Sequence, residues 1–250
     1  MDIETLIGRK THTALEINGI FVPANSAIDV LRGFTDPALF YNSEFPEYEF
    51  SQRGTLTKLR HNKSFFVAVT KHQTKDFDFD QLVLQGASAK KFRSSESVIR
   101  ADHRDFGEDE FDLRLFDFSR SVEEGHLSQS GWLDIGRFDE TPKANETDVV
   151  VAFGFPCSEC DLDYEGKKIT STSAFVYGKH TTSAVRNRHS FAVHDRPEFP
   201  PDGMSGGPVF SFGVDGTEPR VRFCGVTSNA SKSRFNYIPF STLRRMSSAL

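Results

Sequence analysis

The feature that most constrains this chain is the stretch 201–210, which reads Pro-Asp-Gly-Met-Ser-Gly-Gly-Pro-Val-Phe. Gly203 and Gly207 permit backbone angles that are closed to other residues, and their missing side chains let another group approach the backbone. In such a turn the N–H groups of Gly203 and Ser205 can converge on one point, as a developing oxyanion requires. The stretch predicts a turn that presents Ser205 as a nucleophile; the alternative is a glycine-rich hairpin turn with an incidental serine.

The positions of the histidines decide which base could serve this serine. The stretch also fits Gly-x-Ser-x-Gly, the nucleophile elbow of α/β-hydrolases, in which the histidine follows the serine. The base must instead come from upstream, because no histidine follows Ser205, and this excludes the elbow. The eight histidines are His12, His61, His72, His103, His126, His180, His189 and His194.

Short apolar runs separated by polar turns follow from residue 55 onward, and β-branched and aromatic residues dominate them. Such spacing predicts an all-β sandwich or barrel. Phenylalanine must fill much of the core, since the chain has 25 phenylalanines and one tryptophan. A terminal helix is predicted over 240–250, with Ser241 as its cap. The predicted strands are 15–22, 64–70, 81–85, 110–118, 132–135, 148–155, 168–177, 190–194, 207–212, 220–228 and 235–238.

Two upstream residues are candidates for the base and the acid that a serine nucleophile needs. His72 follows the predicted buried strand 64–70, and Asp112 comes just before the apolar run Leu-Arg-Leu-Phe. His103, in a charged stretch, is the second candidate for the base. The alternatives for the acid are Asp105, Asp109 and Asp117.

The sequence Gly-Met-Ser-Gly-Gly-Pro-Val at 203–209 resembles the nucleophile motif of trypsin-like (chymotrypsin-fold) serine proteases, in their bacterial high-temperature-requirement-like branch. Thr-Lys-His ending at residue 72 resembles the strand that delivers the family's histidine, and Asp-Leu-Arg-Leu from residue 112 resembles its acid motif. The resemblance implies an all-β fold of two six-stranded antiparallel Greek-key barrels, with the active site between them and a short C-terminal helix. It implies a catalytic triad in the chymotrypsin order, His72, Asp112 and Ser205, and an oxyanion hole formed by the N–H groups of Gly203 and Ser205.

Two segments of the second half also resemble the family. Val-Val-Ala-Phe-Gly-Phe-Pro at 150–156 resembles a strand ending in Gly-Tyr/Phe-Pro, and Cys-Gly-Val-Thr-Ser at 224–228 resembles the strand that lines the primary specificity pocket. Phe199 is implied near the base of that pocket, which favours a small or apolar P1 side chain. Met204 cannot pair with a newly cut N-terminus, so no trypsin-type zymogen switch is expected. The other substrate-binding residues implied are Val226, Thr227 and Ser228.

Charge and cysteine usage bound the setting of the chain. The net charge is −5 with both signs mixed, so no polyanion-binding role is indicated. A cytoplasmic location is expected, because three cysteines are few for a disulfide-stapled secreted protein and residues 1–6 lack the features of a signal peptide. Cys157 and Cys160 supply only two of the four ligands of a zinc site, so structural thiols are predicted there.

The predicted function is that of a serine endopeptidase acting through an acyl-enzyme, with no metal and no organic cofactor. Its expected partners are a protein or peptide substrate and a regulatory protein, but neither nucleic acid nor membrane. Lys71 and Arg114 depart from the family pattern, which motivates one alternative, a catalytically impaired protease-fold binding module. An esterase using the same site is another. The predicted domains are an N-terminal extension packed on the first barrel (1–55), a first barrel with His72 and Asp112 (56–140), and a second barrel with Ser205 and the C-terminal helix (141–250).

Overall fold

Short β-strands dominate the computed structural model, which describes residues 14–42, 49–75, 77–86, 91–100, 112–138, 148–163, 168–185, 187–216 and 218–247. The strands are β1 (Ala14–Ile17), β2 (Ile20–Pro23), β3 (Thr35–Tyr41), β4 (Phe50–His61), β5 (Ser64–Val69), β6 (Leu82–Gln85), β7 (Phe92–Ser94), β8 (Ser97–Arg100), β9 (Arg114–Asp117), β10 (Leu133–Asp134), β11 (Val149–Gly154), β12 (Cys160–Asp163), β13 (Lys168–Ser171), β14 (Ala174–Thr181), β15 (His189–Val193), β16 (Pro208–Asp215), β17 (Glu218–Ala230) and β18 (Arg234–Pro239). The α-helices are α1 (Ala27–Arg32), α2 (Ser119–Glu123) and α3 (Phe240–Ser247). Short 3-10 helices cover Ala24–Ser26, Lys71–Thr74, Phe79–Gln81, Ile135–Arg137 and Cys157–Glu159.

The first sheet follows the order β7-β6-β3-β4-β5-β9-β8, and β10 adds to β4. The two ends of this path belong to one bent segment, because only Ser95 and Glu96 separate β7 from β8. The N–H of Ser95 donates to Leu82 in β6, and the N–H of Glu96 donates to Asp117 in β9. The sheet therefore curls back on itself, with β7 and β8 acting as one strand of six.

The second sheet is a closed antiparallel barrel in the order β11-β14-β15-β18-β17-β16. When β7 and β8 count as one strand and each set is numbered from its first strand, both sheets run 1-2-3-6-5-4. This shared order is a Greek-key arrangement, in which a later strand returns beside the first. The prediction of an all-β double-barrel fold with a short C-terminal helix is confirmed.

Phenylalanine fills the centre of the molecule, as its frequency predicts. Phe66 of β5 and Leu115 of β9 lie in the same buried cluster as Phe153 of β11 and Phe210 of β16, so one core joins the two sheets. Full burial of such a side chain stabilises the folded state by about 1.5–3 kcal/mol. The phenylalanines with less than 2% of their surface exposed are Phe40, Phe66, Phe116, Phe118, Phe153, Phe191, Phe210, Phe212, Phe223, Phe235 and Phe240.

The first sheet begins earlier than the sequence indicates. The segment before residue 55 was expected to be an extension, whereas β3 and the first half of β4 are part of the sheet, so residue 55 lies within a strand. Pro37 in β3 and Gly54 in β4 explain why no strand pattern is visible there, since both residues are unfavourable in strands. The other predicted boundary, near residue 140, lies outside the described residues.

Three other local predictions differ from the structure. The predicted strand 15–22 is a hairpin of β1 and β2, turned by Asn18 and Gly19 at positive φ. The predicted strand 168–177 is divided between β13 and β14. Ser241 lies inside α3 rather than capping it, because the helix already begins at Phe240.

The N-terminal hairpin of β1 and β2 contributes to the common core. Leu15 and Ile17 are almost fully buried in the cluster that contains Phe223 of β17. Asn18 fastens the hairpin to the first sheet, because its side-chain amide donates to Trp132 O and its side-chain carbonyl accepts from the N–H of Asp134.

Within the described ranges no helix has both the length and the apolar character needed to cross a membrane. The cytoplasmic location stays a prediction.

Candidate active site

His72 and Asp112 form a hydrogen-bonded pair. The Nδ1 atom of His72 lies 2.5 Å from Oδ2 of Asp112, and the backbone N–H of His72 donates to Oδ1 at 2.9 Å. The His72 side chain is 52% exposed, whereas that of Asp112 is 19% exposed. An ionised carboxylate can only accept, so the pairing places the imidazole proton on Nδ1 and leaves the Nε2 lone pair to act as a base.

Two neighbouring strands position this pair. The 3-10 helix that carries His72 follows β5, and Asp112 lies two residues before β9, which pairs with β5 through Val69 and Arg114. The departures from the family pattern do not disturb the pair. Lys71 is exposed, and Arg114 donates to Thr74 Oγ1 at 2.5 Å, which fastens β9 to the helix that holds His72.

The other candidates for base and acid lie elsewhere. Asp117 accepts from the N–H and the hydroxyl of Ser119 at the start of α2, which is a structural role. His61 Nδ1 contacts Ser247 Oγ at 3.3 Å. The candidates that lie outside the described residues are His103, Asp105 and Asp109.

The nucleophile turn is built from two tight reversals around Ser205. The N–H of Met204 donates to Pro201 O, and Gly203 has φ of +95°, as the third residue of a type II turn requires. Met204 is fully buried and anchors the turn in the second barrel. Gly207 has no room for a side chain, because a Cβ there would lie 1.8 Å from Phe153 O. The turn therefore requires the small residues that the sequence places beside Ser205.

Threonines of the first barrel hold this turn from the opposite side. Thr55 of β4 donates through its N–H to Ser205 O at 3.0 Å and through its hydroxyl to Gly203 O at 2.6 Å. Its hydroxyl also accepts from the N–H of Phe155 at 2.7 Å. Thr57 donates to Gly206 O at 2.7 Å. Strand β4 and the nucleophile turn thus form one hydrogen-bonded seam between the barrels.

Gln73, the residue after His72, links the histidine to the serine. Its Nε2 donates to the carbonyls of Ser205, Thr55 and Arg53 at 3.0–3.2 Å. Its Oε1 accepts from the N–H and the hydroxyl of Thr70, at 2.7 and 2.6 Å. The Thr70 hydroxyl proton is thereby committed to Gln73, although Thr70 Oγ1 also lies 3.3 Å from His72 Nε2. Gln73 is 5% exposed, so these contacts are shielded from water.

Two backbone N–H groups beside the nucleophile lack an acceptor. The N–H groups of Gly203 and Ser205 donate to no group in the described part of the chain. The carbonyl of Asp202 accepts from the N–H of Cys157 at 2.8 Å. The C=O and N–H of one planar trans peptide point in opposite directions, so this bond turns the Gly203 N–H away from Cys157. An oxyanion hole requires donors of this kind, which are not already bonded within the protein.

The Ser205 hydroxyl itself is turned away from His72. It donates to Ser228 O at 3.0 Å, and no hydrogen bond joins the described atoms of Ser205 and His72. The structure therefore brings the predicted acid and base into contact and holds the nucleophile nearby with a different acceptor. Catalytic hydrogen bonds of unliganded enzymes are often loose in this way.

The predicted substrate-binding residues fall into two groups. Val226 and Thr227 are fully buried, and their strand pairs with the turn through reciprocal bonds between Thr227 and residues Gly206 and Gly207. Ser228 lies where β17 has run past the start of β16, so its carbonyl faces Ser205. Phe199 is partly exposed and packs on the buried cluster of the second barrel that contains Met204.

The seam residues Thr55, Thr57 and Gln73 escape sequence reasoning. Their side chains act on carbonyls more than 100 residues away, which no local pattern reveals. The only signal is that Thr55 and Thr57 are two residues apart in β4, which places both hydroxyls on one face of the strand.

We expect that Gln73→Glu lowers kcat by about 10- to 100-fold, because a small displacement of catalytic groups has effects of this size. Glutamate keeps the acceptor for Thr70 but removes the donor to Ser205, Thr55 and Arg53. The measurement is kcat on a protein substrate together with the melting temperature. Gln81→Glu is the matched control, because Gln81 also accepts from a backbone N–H through Oε1 and donates to a carbonyl through Nε2, in the 3-10 helix before β6. Unchanged kcat in a folded Gln73→Glu protein would contradict the linking role.

Cys157 lies directly behind the nucleophile turn. A Cβ on Gly203 would lie 2.9 Å from its Sγ, although the residue as a whole is exposed at the surface. Burial of the Sγ raises the pKa of the Cys157 thiol, and the nearby Asp202 carboxylate raises it further. Burial raises the pKa of the Cys224 thiol to about 12 and also raises that of Cys160. No group of three or more potential metal-binding side chains occurs in the described ranges.

We expect N-ethylmaleimide to inactivate the protein slowly at pH 7 and faster as the pH rises. The thiolate is the reactive form, and its fraction increases about tenfold per pH unit below the thiol pKa. The measurement is the rate of activity loss between pH 7 and 9. The Cys157→Ser variant should keep its activity under the same treatment, and equal loss in this variant would overturn the assignment.

Comparisons with known proteins support the fold. No protein-family model and no curated protein matches the sequence. A solved serine endoprotease from Yersinia pestis is similar in structure, with a TM-score of 0.55 and 12% sequence identity over 90% of this chain. This chain spans 65% of the length of that one. The likeness establishes that the chain has the trypsin-like double-barrel fold found in a serine endoprotease.

Proposed function

We propose that the protein is a serine endopeptidase of the trypsin-like class, with His72, Asp112 and Ser205 as its catalytic triad. The observation that carries the proposal is the His72–Asp112 pair, joined through Gln73 to a nucleophile turn whose two N–H groups have no described acceptor. Each element has a separate structural cause, and together they match the requirements of acyl transfer. The high-temperature-requirement-like branch belongs to the proposal as well.

The mechanism begins with a change of partner for Ser205. The hydroxyl leaves Ser228 O and donates to His72 Nε2, which removes the proton as Oγ attacks the substrate carbonyl. Asp112 accepts the Nδ1 proton and stabilises the imidazolium that forms. The N–H groups of Gly203 and Ser205 bind the oxyanion. His72 then protonates the leaving amine, and an acyl-enzyme remains on Ser205.

Hydrolysis of the acyl-enzyme reverses these roles. His72 takes a proton from water as the water attacks the acyl carbonyl, and returns a proton to Ser205 Oγ when the C–O bond breaks. The products are a carboxylate and a free serine. All proton transfers run through one imidazole, so neither a metal nor an organic cofactor enters the scheme.

Strand β17 favours a polypeptide substrate over a small ester. In its segment Ser228–Ala230, Asn229 and Ala230 pair with β18 and Ser228 lies at a bulge, while no described strand pairs with the segment on the side of the nucleophile turn. An extended peptide can add to such an edge through main-chain hydrogen bonds. The proposed substrate is therefore a protein or peptide whose scissile bond is delivered to Ser205 from this edge.

The test is labelling with a fluorophosphonate probe, which reacts with an activated serine. We expect the parent to be labelled and Ser205→Ala to remain unlabelled, since no other serine would have the base and the oxyanion donors. Ser233→Ala, at an exposed position between β17 and β18, should label like the parent. Equal labelling of the parent and Ser205→Ala would remove the nucleophile assignment.

A catalytically impaired binding module is the second candidate. The Ser205–Ser228 hydrogen bond favours it, because a hydroxyl that stays bonded to this carbonyl does not donate to His72. Turnover of casein separates the two candidates. Cleavage of casein that is lost in Ser205→Ala supports the peptidase, whereas tight binding of casein without cleavage supports the binding module. The change of partner at Ser205 is also the step on which a regulatory protein would act. Comparison of matched ester and amide substrates tests the esterase reading.

A further inference from the structure

We propose that Arg188 is a specificity residue that selects an acidic side chain within four residues on the N-terminal side of the scissile bond. The inference rests on the proposed peptidase function and adds a substrate class to it. Arg188 lies just before β15, outside the proposed triad and the nucleophile turn. It is set apart by three observations: its contacts, its missing counter-ion and its place beside the free edge of β17.

Arg188 reaches the strand that faces the nucleophile. Its Nη1 donates to Ser228 Oγ at 2.9 Å and to Asn229 Oδ1 at 3.3 Å. Ser228 is fully buried, and its carbonyl is the acceptor of the Ser205 hydroxyl. Asn229 is exposed. The guanidinium therefore lies where buried Ser228 meets exposed Asn229, and it contacts the same residue that accepts the Ser205 hydroxyl.

The charge of Arg188 has no described partner. No carboxylate in the described ranges lies within ion-pairing distance of it, whereas Arg222 and Arg220 of the same barrel pair with Asp148 and Asp215. The Nε of Arg188 is buried and has no hydrogen-bond partner. Its Nη2 is not buried and donates to no described acceptor, so this nitrogen can bind an acceptor that a ligand supplies.

A bound peptide would bring its side chains to this guanidinium. An extended chain that adds to the edge at Ser228–Ala230 runs past Arg188, and its alternate side chains point to one face of the sheet. Of the side chains a peptide offers, only aspartate and glutamate provide a negative charge and two oxygens. An arginine fork binds such a carboxylate with two parallel hydrogen bonds, and the existing contacts to Ser228 and Asn229 hold the fork in place.

The discrimination to expect is that between glutamate and glutamine, which have the same size. Hydrogen bonds to charged groups contribute more to binding than hydrogen bonds to neutral groups. The difference corresponds to a preference of about 10- to 100-fold for the glutamate peptide over the glutamine peptide. The preference should appear at one position of the substrate, because Arg188 is fixed by its neighbours. It should be weaker at high salt, since the pair lies partly in solvent.

The experiment uses acetylated tetrapeptide coumarin amides that carry either glutamate or glutamine at one of the positions P1 to P4. The parent protein is compared with Arg188→Gln, Arg188→Lys and the control Arg234→Gln, an exposed arginine of β18. We expect a glutamate preference in kcat/KM of at least tenfold at one position for the parent and Arg234→Gln. The preference should fall below threefold in Arg188→Gln and be partly retained in Arg188→Lys.

Binding of the same peptides to Ser205→Ala, measured by fluorescence anisotropy, makes the test independent of catalysis. Tighter binding of the glutamate peptide that is lost in Ser205→Ala/Arg188→Gln supports the inference even if the protein cleaves nothing, in which case only the proposed function fails. Equal binding and equal cleavage of glutamate and glutamine peptides at all four positions overturn the inference. A glutamate preference that survives in Arg188→Gln overturns it as well, whereas fluorophosphonate labelling of Ser205 would remain and keep the proposed function intact.

Discussion

Replacing Asp112 with asparagine is expected to lower kcat by about 10,000-fold while the protein stays folded. Asparagine keeps the size of the side chain, but its NH2 group can donate to His72 Nδ1 and so favours the imidazole with its proton on Nε2. That tautomer cannot accept the proton of Ser205. The loss should therefore appear in kcat rather than in KM, because peptide binding at β17 does not involve Asp112.

The measurement is steady-state kinetics on a peptide that the parent cleaves, with the melting temperature of each variant. Asp117→Asn is the matched control, since Asp117 was the other described candidate for the acid and instead accepts two hydrogen bonds from Ser119. It should change kcat by less than about fivefold. If Asp117→Asn carried the large loss and Asp112→Asn did not, the acid of the triad would be reassigned.

Replacing Gly206 with alanine is expected to destabilise the fold by about 4 kcal/mol, the size of effect that arises when a side chain has no room. A Cβ at this position would lie 1.9 Å from Thr55 O and 2.9 Å from Gln73 Oε1, and the residue has φ of +86°. Relief requires β4 to move away from the nucleophile turn. Because this movement displaces the Thr55 and Gln73 contacts of Ser205 O, activity should also be lost.

Gly125→Ala separates the steric effect from the backbone effect. Gly125 has φ of +73°, yet nothing lies within 4 Å of the position its Cβ would take. This variant should lose only about 1–2 kcal/mol, the cost of the left-handed conformation for a residue with a side chain. Urea denaturation of both variants and the parent provides the free energies. Equal losses in the two alanine variants would show that contact with β4 is unimportant.

The residues of the candidate triad could be predicted because each stands in a short recognisable pattern. Ser205 lies in a glycine-rich turn, His72 follows a strand of continuous apolar residues, and Asp112 precedes a shorter strand with two buried apolar residues, Leu115 and Phe116. These patterns reflect local requirements: a tight turn needs glycine, and a buried strand needs apolar residues on both faces. That His72 and Asp112 are within hydrogen-bonding distance follows from the pairing of β5 with β9. The resemblance implied that the two residues belong to one triad, but no strand pairing was predicted.

The seam between the barrels could not be predicted, because it depends on contacts between distant parts of the chain. Thr55, Gln73 and Arg188 look like ordinary polar residues in sequence, and only the fold turns them toward the nucleophile turn and β17. Strand β3 was overlooked for a different reason: Pro37 removes a backbone donor and interrupts the expected pattern. The pairing of β3 with β4 is irregular at this point, with a register shift between Pro37 and Leu39.

The hydrogen bonds that cross from β4 to the second barrel make the relative motion of the two barrels observable. The amide hydrogens of Thr55 and Phe155 are held by groups of the opposite half of the molecule, Ser205 O and Thr55 Oγ1. Deuterium can replace them when the halves part, even while each barrel keeps its own ladder intact. The exchange rates of these two amides, compared with those of amides within β5 and β11, therefore report how often the two barrels separate in solution.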